Sequence, residues 1–153
     1  MIEIEHRAGG SGAICETILA SLPEWFGIAE SNAAYARAAE EGPAWLALDG
    51  DEAVGLMILR RHPDAAAENW LLAVRRERRG DGVGRRLIAA AVEWAAGDGA
   101  AYLLVKTLGP SHPSEPYAET RAFYRAMGFE PLEELTEIWG EENPCLLMVL
   151  PLG

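Results

Sequence analysis

Six of the 13 basic residues in this 153-residue chain fall between positions 75 and 86, in the stretch RRERRGDGVGRRL. Arg75, Arg76, Arg78, Arg79, Arg85 and Arg86 surround Gly80, Gly82 and Gly84. Guanidinium groups form charge-assisted, bidentate hydrogen bonds to phosphate, and glycine lets backbone N–H groups approach an anion closely. The run leads into a segment where Val83, Leu87, Ile88, Ala91, Val92 and Ala95 recur at helical spacing. A helix starting at Asp81 turns its positive dipole end on the same anion. The expected chemistry is the binding of a small polyanion. Two familiar phosphate loops do not fit. GxxxxGK followed by Ser or Thr is absent, and G-D-G-V-G has neither the spacing nor the early position of a dinucleotide fingerprint. The competing explanation is a solvated basic loop. Placement between a strand and an amphipathic helix favours the anion site.

The rest of the composition sets limits on partners. With 24 acidic residues the formal net charge is −11, which argues against nucleic acid, because phosphate-backbone binding needs a basic face. Screening confines charge effects to roughly 10 Å, so a local basic cluster still serves a small ligand. No stretch approaches the ~20 apolar residues of a membrane span, and MIEIEHRAGG lacks the basic start and apolar core of a signal peptide. Cys15 and Cys145 have no CxxC spacing, and His6, His62 and His112 are scattered, so no metal site is expected. The chain reads as one domain, residues 1–153, in the cytoplasm, with half its residues apolar.

Periodicity places the elements. IEIEH (2–6) alternates as a strand; residues 12–21 and 29–41 read as helices. Trp45–Leu48 and Ala53–Leu59 form a hairpin around Asp49-Gly50-Asp51, and 68–74 is a further strand. A helix from Asp81 to Ala96 ends at Gly97 and Gly99, followed by a buried strand over 101–108. A helix over 117–127 and strands near 130–137 and 145–150 complete the order. This is an α/β pattern: one mixed sheet with helices on both faces.

The motif Val74-x4-Arg79-Gly80-x-Gly82-x-Gly84-x2-Leu87 resembles the acetyl-coenzyme A signature of the GCN5-related N-acetyltransferases, the GNAT family. A second family signature follows in RAFYRAMGFEPL, with Phe123-Tyr124 and Gly128-Phe129. The resemblance is close from 68 to 131 and loose before 43. It implies a mostly antiparallel sheet of about seven strands, splayed between the fourth and fifth, with about four helices. By the same resemblance, Leu72, Ala73 and Val74 hold the pantetheine arm of acetyl-CoA. Arg79, Gly80, Asp81, Gly82, Val83 and Gly84 cradle its pyrophosphate, and Arg85 or Arg86 reaches the 3′-phosphate. The family often has Asn where this chain has Tyr117, so Tyr117 is expected to stack or hydrogen-bond in its place.

Acetyl transfer to an amine needs a base, a polarised carbonyl, an acid for the thiolate, and proximity. Tyr124 stands at the family's acid position; the alternative is a tyrosine that only packs. Glu68 stands where the histone-acetylating branch places its base, on one strand face with Trp70, Leu72 and Val74. Its alternative is a solvated glutamate at the start of the strand. Lys106 and Thr107 are candidates at the edge of the site. For the acceptor, a small-molecule or peptide amine, Trp25, Phe26 and Trp139 supply aromatic surface beside acidic groups. Trp25 reads equally as a core cap, and the glutamates near Trp139 as a solvated hairpin tip. A homodimer is a family-level expectation. Two other functions stay open: a non-catalytic acyl-CoA sensor, and transfer of a longer acyl group or to a hydroxyl.

Overall fold

Alternation along IEIEHR buries Ile2 and exposes its neighbours, and this is strand β1 (Ile2–Arg7). The computed structural model covers residues 1–153. Seven strands make one sheet in the order β1-β2-β3-β4-β5-β7-β6, with four α-helices in the connections. After β1 come α1 (Gly12–Ala20), α2 (Ala29–Glu41), β2 (Ala44–Asp49), β3 (Glu52–Arg61) and β4 (Ala66–Val74). Then follow α3 (Val83–Gly97), β5 (Tyr102–Leu108), α4 (Glu115–Ala126), β6 (Glu130–Leu135) and β7 (Cys145–Pro151). The order of elements is the one the periodicity predicts. β4 and β5 pair in parallel, from Ala66↔Tyr102 to Asn69↔Val105; the β1–β2, β2–β3, β5–β7 and β6–β7 pairs are antiparallel. No helix is long and apolar enough to cross a membrane.

Most element ends shift by one or two residues from expectation, and three of the shifts have a clear local reason. The helix expected from Asp81 begins at Val83, because Gly80 and Gly82 take φ of +86° and +81°, which an α-helix cannot continue through. A short 3₁₀ turn, Arg76–Arg78, fills part of the preceding loop. The strand expected to reach 137 ends at Leu135, which pairs with Cys145, the first residue of β7. Pro144 before it has no N–H to extend the ladder. The helix expected from Tyr117 starts at Glu115, since Ser114 caps it by accepting from the Tyr117 N–H and Pro116 suits the first turn.

The chain divides into two compact units. The first, Met1–Arg60 with Trp70–Ala91, has its core where α1 and α2 lie on β2 and β3. Cys15, Ile18, Leu19 and Leu22 of the α1 region pack with Ala36 and Ala39 of α2 and with Leu46, Leu56, Ile58, Leu71 and Ala73 of the strands. Close approach of α3 depends on Gly55, where a Cβ would lie 3.1 Å from Val83 Cγ1 and 3.3 Å from Leu87 Cδ1. The second unit, Arg61–Asn69 with Val92–Gly153, buries Leu103, Val105, Phe129, Cys145 and Met148. Both cysteines are free and buried; burial, then the neighbouring Glu16, pushes the Cys15 thiol up to about 11.

Gly55→Ala is expected to overpack the contact with α3 and to cost about 1–3 kcal/mol, read as a lower denaturant midpoint at unchanged slope. A midpoint equal to the parent's would show that the Val83 and Leu87 side chains yield freely.

Candidate active site

The first unit contributes the arginine-glycine loop. β4 ends at Val74, and Arg75 is pinned at once: its N–H donates to the Val54 carbonyl at 2.9 Å and its Nε to the Ala53 carbonyl at 3.0 Å. Arg78 is held twice by carboxylates, Nη1 to Asp49 Oδ2 at 2.8 Å and Nε to Asp81 Oδ2 at 2.9 Å. Arg76 pairs with Glu24, and Arg86 Nη1 donates to the Ile2 carbonyl. These four arginines are therefore tied to the protein's own acceptors. Arg79 and Arg85 are exposed, and the Arg79 guanidinium lies 4.0 Å over the ring of Trp25. Between them the backbone turns through the two left-handed glycines into α3, whose first N–H groups have no intrahelical acceptor. N–H groups turned outward beside a guanidinium are chemically suited to an anion.

Leu72 and Val74 are half-buried while Ala73 is buried, as strand alternation requires. Trp25 and Phe26 pack against the first unit's core. Phe26 meets Tyr35 edge-on at 6.3 Å, Tyr35 meets Trp70 at 4.6 Å, and Arg60 covers Trp70 at 3.3 Å.

The second unit holds a polar cluster. Glu68 is buried, with Oε1 2.7 Å from His62 Nε2 and 3.4 Å from Lys106 Nζ. It is not the solvated glutamate of the alternative reading. A buried carboxylate is tolerated because cations and hydrogen bonds offset its desolvation. Next along the strand, buried Asn69 donates from Nδ2 to the Tyr124 phenol oxygen across a long 3.4 Å, and its Oδ1 has no partner. Tyr124 is buried between Phe123 and Phe129, each ring 5.3 Å away. Burial pushes its phenol well above the ordinary tyrosine value; the nearby Tyr117 phenol adds to this and Asn69 partly offsets it. Thr107 is buried with its Oγ1 unpartnered. Trp139 is 44% exposed at the β6–β7 turn. No three His, Cys, Asp or Glu side chains gather as a metal site.

Two of these residues escape sequence reasoning. Asn69 follows the singled-out Glu68 and looks like strand filler, although a polar pair inside an apolar strand is itself a signal. His62 has no local motif; only the turn between β3 and β4 brings it to Glu68.

The sequence model of the acetyltransferase (GNAT) domain family matches residues 40–131. No curated protein matches at a significant level. Among solved structures, a GNAT-family protein from Desulfovibrio desulfuricans superposes with a TM-score of 0.88 at 18% identity, covering 100% of both chains. The ribosomal-protein-S18-alanine N-acetyltransferase of Escherichia coli gives a TM-score of 0.79 at 16% identity, covering 100% of this chain and 95% of that one. A GNAT acetyltransferase from Elizabethkingia anophelis with acetyl-CoA bound gives 0.72 at 18%, covering 98% and 97%. At such identities the likeness is one of fold.

The loop's ion pairs make it sensitive to acid. Arg78, by hydrogen bond and then by charge, holds the Asp49 carboxyl below its ordinary value, with the N-terminal ammonium adding to it. The pairing is thus complete above the usual carboxylate range of about 4 and is lost only as pH falls through the lowered value. Protection from amide exchange over 76–83, taken relative to the intrinsic rate at each pH, should fall below about pH 4. Asp49→Asn should show faster exchange already at neutral pH, without that acid step; identical profiles would exclude the anchor.

Proposed function

The chain belongs to the GNAT acetyltransferase family, and from that premise we propose that it transfers an acetyl group from acetyl-CoA to an amine. Residues 1–153 then work as a single N-acetyltransferase domain in the cytoplasm. The observation that carries the reading is the loop after β4, where two left-handed glycines lead into α3 beside the exposed Arg79. A neighbour in fold with acetyl-CoA bound supports the choice of ligand. The residues present suit the group. N–H donors from Gly80 to Gly84 and the guanidinium of Arg79 fit a pyrophosphate, and Arg85 fits a further phosphate. Asp81 shapes the loop through Arg78. The backbone of Leu72, Ala73 and Val74 offers strand-like partners to the pantetheine amides. The unpartnered Asn69 Oδ1 is suited to accept from an amide N–H.

Bound acetyl-CoA supplies the activated acyl group. Glu68 takes a proton from the incoming ammonium, so that a neutral amine is the nucleophile. Tyr124 stays protonated because burial disfavours its phenolate, and Asn69 donates to the phenol oxygen, leaving the O–H proton to be given. That proton goes to the departing thiolate. Tyr117 lines the same helix two turns earlier, and Lys106 steadies Glu68. The acceptor is a small-molecule or peptide amine, with Trp25, Phe26 and Trp139 as aromatic surface for it. Neighbours in fold include an aminoglycoside 6′-N-acetyltransferase and the ribosomal-protein-S18-alanine enzyme, so both amine classes belong in a screen.

Titration calorimetry should show acetyl-CoA binding in the micromolar range or tighter, abolished or strongly weakened by Arg79→Ala combined with Gly82→Ala. No heat with the parent protein would overturn the reading. In an amine panel of an aminoglycoside, an N-terminal alanine peptide and a polyamine, Tyr124→Phe should lower kcat by roughly 10²–10⁴-fold with cofactor affinity nearly unchanged. Binding without turnover on any amine would favour a sensor.

A further inference from the structure

A base buried in a protein works once unless its proton has a way out. Glu68 has 5% of its side chain exposed, whereas His62 has 41%. The two meet at 2.7 Å between Glu68 Oε1 and His62 Nε2, within the second unit. The imidazole therefore has one nitrogen on the buried carboxylate and a ring that reaches solvent.

The histidine is held there by its neighbour. Arg61 Nη1 donates to the carbonyls of His62 at 3.2 Å and Ala66 at 2.7 Å, and Nη2 donates to that of Asp64 at 3.2 Å. Its Nε is fixed by Asp98 Oδ2 at 2.7 Å. The His62 N–H closes the turn by donating to the Ala66 carbonyl at 2.9 Å, and Asp64 accepts the strained left-handed φ of 66°. A turn between two strands stapled by five hydrogen bonds to carbonyls and a carboxylate is a rigid mount, and it aims one side chain.

We propose that His62 is the relay that returns the proton captured by Glu68 to solvent in each catalytic cycle. The inference rests on Glu68 being the base. While Glu68 is ionised, His62 Nε2 carries the hydrogen that the carboxylate accepts. The substrate ammonium gives one proton to Glu68; the ring then shifts to its Nδ1–H tautomer by exchange with solvent, and Nε2 accepts the proton of the carboxylic acid. The imidazolium releases its Nδ1 proton to water, which restores the resting pair. In the transfer itself the amine nitrogen bonds to the carbonyl carbon and the C–S bond breaks. Sulfur leaves with the electron pair and takes the Tyr124 proton, and the phenol recovers a proton from the nitrogen. One proton is released overall, and it is the one His62 carries. The other titratable groups facing Glu68 do not offer this path. Lys106 Nζ, at 3.4 Å from the same oxygen, is a cation without a free acceptor, and Cys145 is fully buried with its thiol pushed up by burial. His62 is thus a relay residue that acts through Glu68.

The test compares His62→Ala, His62→Gln and Glu68→Gln with the parent, using acetyl-CoA and the amine panel. Product is measured as acetylated amine, because added imidazole can itself accept acetyl groups. His62→Ala should lose roughly 10–100-fold in kcat with little change in acetyl-CoA affinity. Free imidazole should restore much of that loss in proportion to its neutral fraction, while His62→Gln, which still fills the site, should stay slow. A parent-like rate for His62→Ala, or a loss that imidazole does not relieve, would overturn the relay. If His62→Ala is parent-like and Glu68→Gln is slow, the base survives and the relay alone fails. If Glu68→Gln keeps the parent's rate and pH profile, the base fails and the relay with it. No turnover on any amine overturns both.

Discussion

Polar groups buried inside a sheet must find partners, and β4 carries two of them in succession, Glu68 and Asn69. Meeting that demand recruits residues from the adjoining turn and from two other elements. Glu68 draws His62 from the turn before β4 and Lys106 from β5; Asn69 draws Tyr124 from α4. The parallel β4–β5 register, with Glu68 opposite Leu104 and Asn69 opposite Val105, places the Lys106 segment beside this pair. Remove the polar pair and the second unit has an ordinary apolar core. With it, the unit holds a carboxyl group and a phenol, each with its polar partners, at fixed distances.

The same strand continues without interruption into the arginine-rich loop, which faces a different problem. Positive charges crowded into twelve positions repel one another. The fold disposes of most of them internally. Asp49, Asp81 and Glu24 neutralise Arg78 and Arg76, and backbone carbonyls take Arg75 and Arg86. Much of what looks like a broad basic patch is therefore spent within the fold, with Arg79 and Arg85 exposed at its surface. An acidic protein with a local cation nest suits a small anionic ligand better than a long polyanion, since the surrounding carboxylates repel anything that extends beyond it.

Much of this architecture was legible in the residues. Every element appears in the expected order, since the helical repeat of Val83, Leu87, Ile88, Ala91 and Ala95 and the apolar run YLLVKTL admit few alternatives. The loop's glycines were legible as well, though the helix begins two residues later than its polar start suggests. The division of labour among the arginines was not, because Asp49 is 29 positions from Arg78 and Glu24 is 52 from Arg76. Nothing local marks such pairs. Asn69 and His62 were missed for the same reason: each acquires its role from a partner supplied by tertiary structure.

Trp25 shows how far a single contact can change the meaning of a residue. By composition alone it is aromatic surface for an amine or a cap on the core. In the fold its ring packs against that core and also carries the Arg79 guanidinium at 4.0 Å. A weakly hydrated cation on an indole face is stabilised by about 0.5–1 kcal/mol at an exposed site, too little to withstand a charged hydrogen bond to phosphate. Arg79 lies exposed over an aromatic face, whereas Arg78, bound by two carboxylates, is committed to the scaffold.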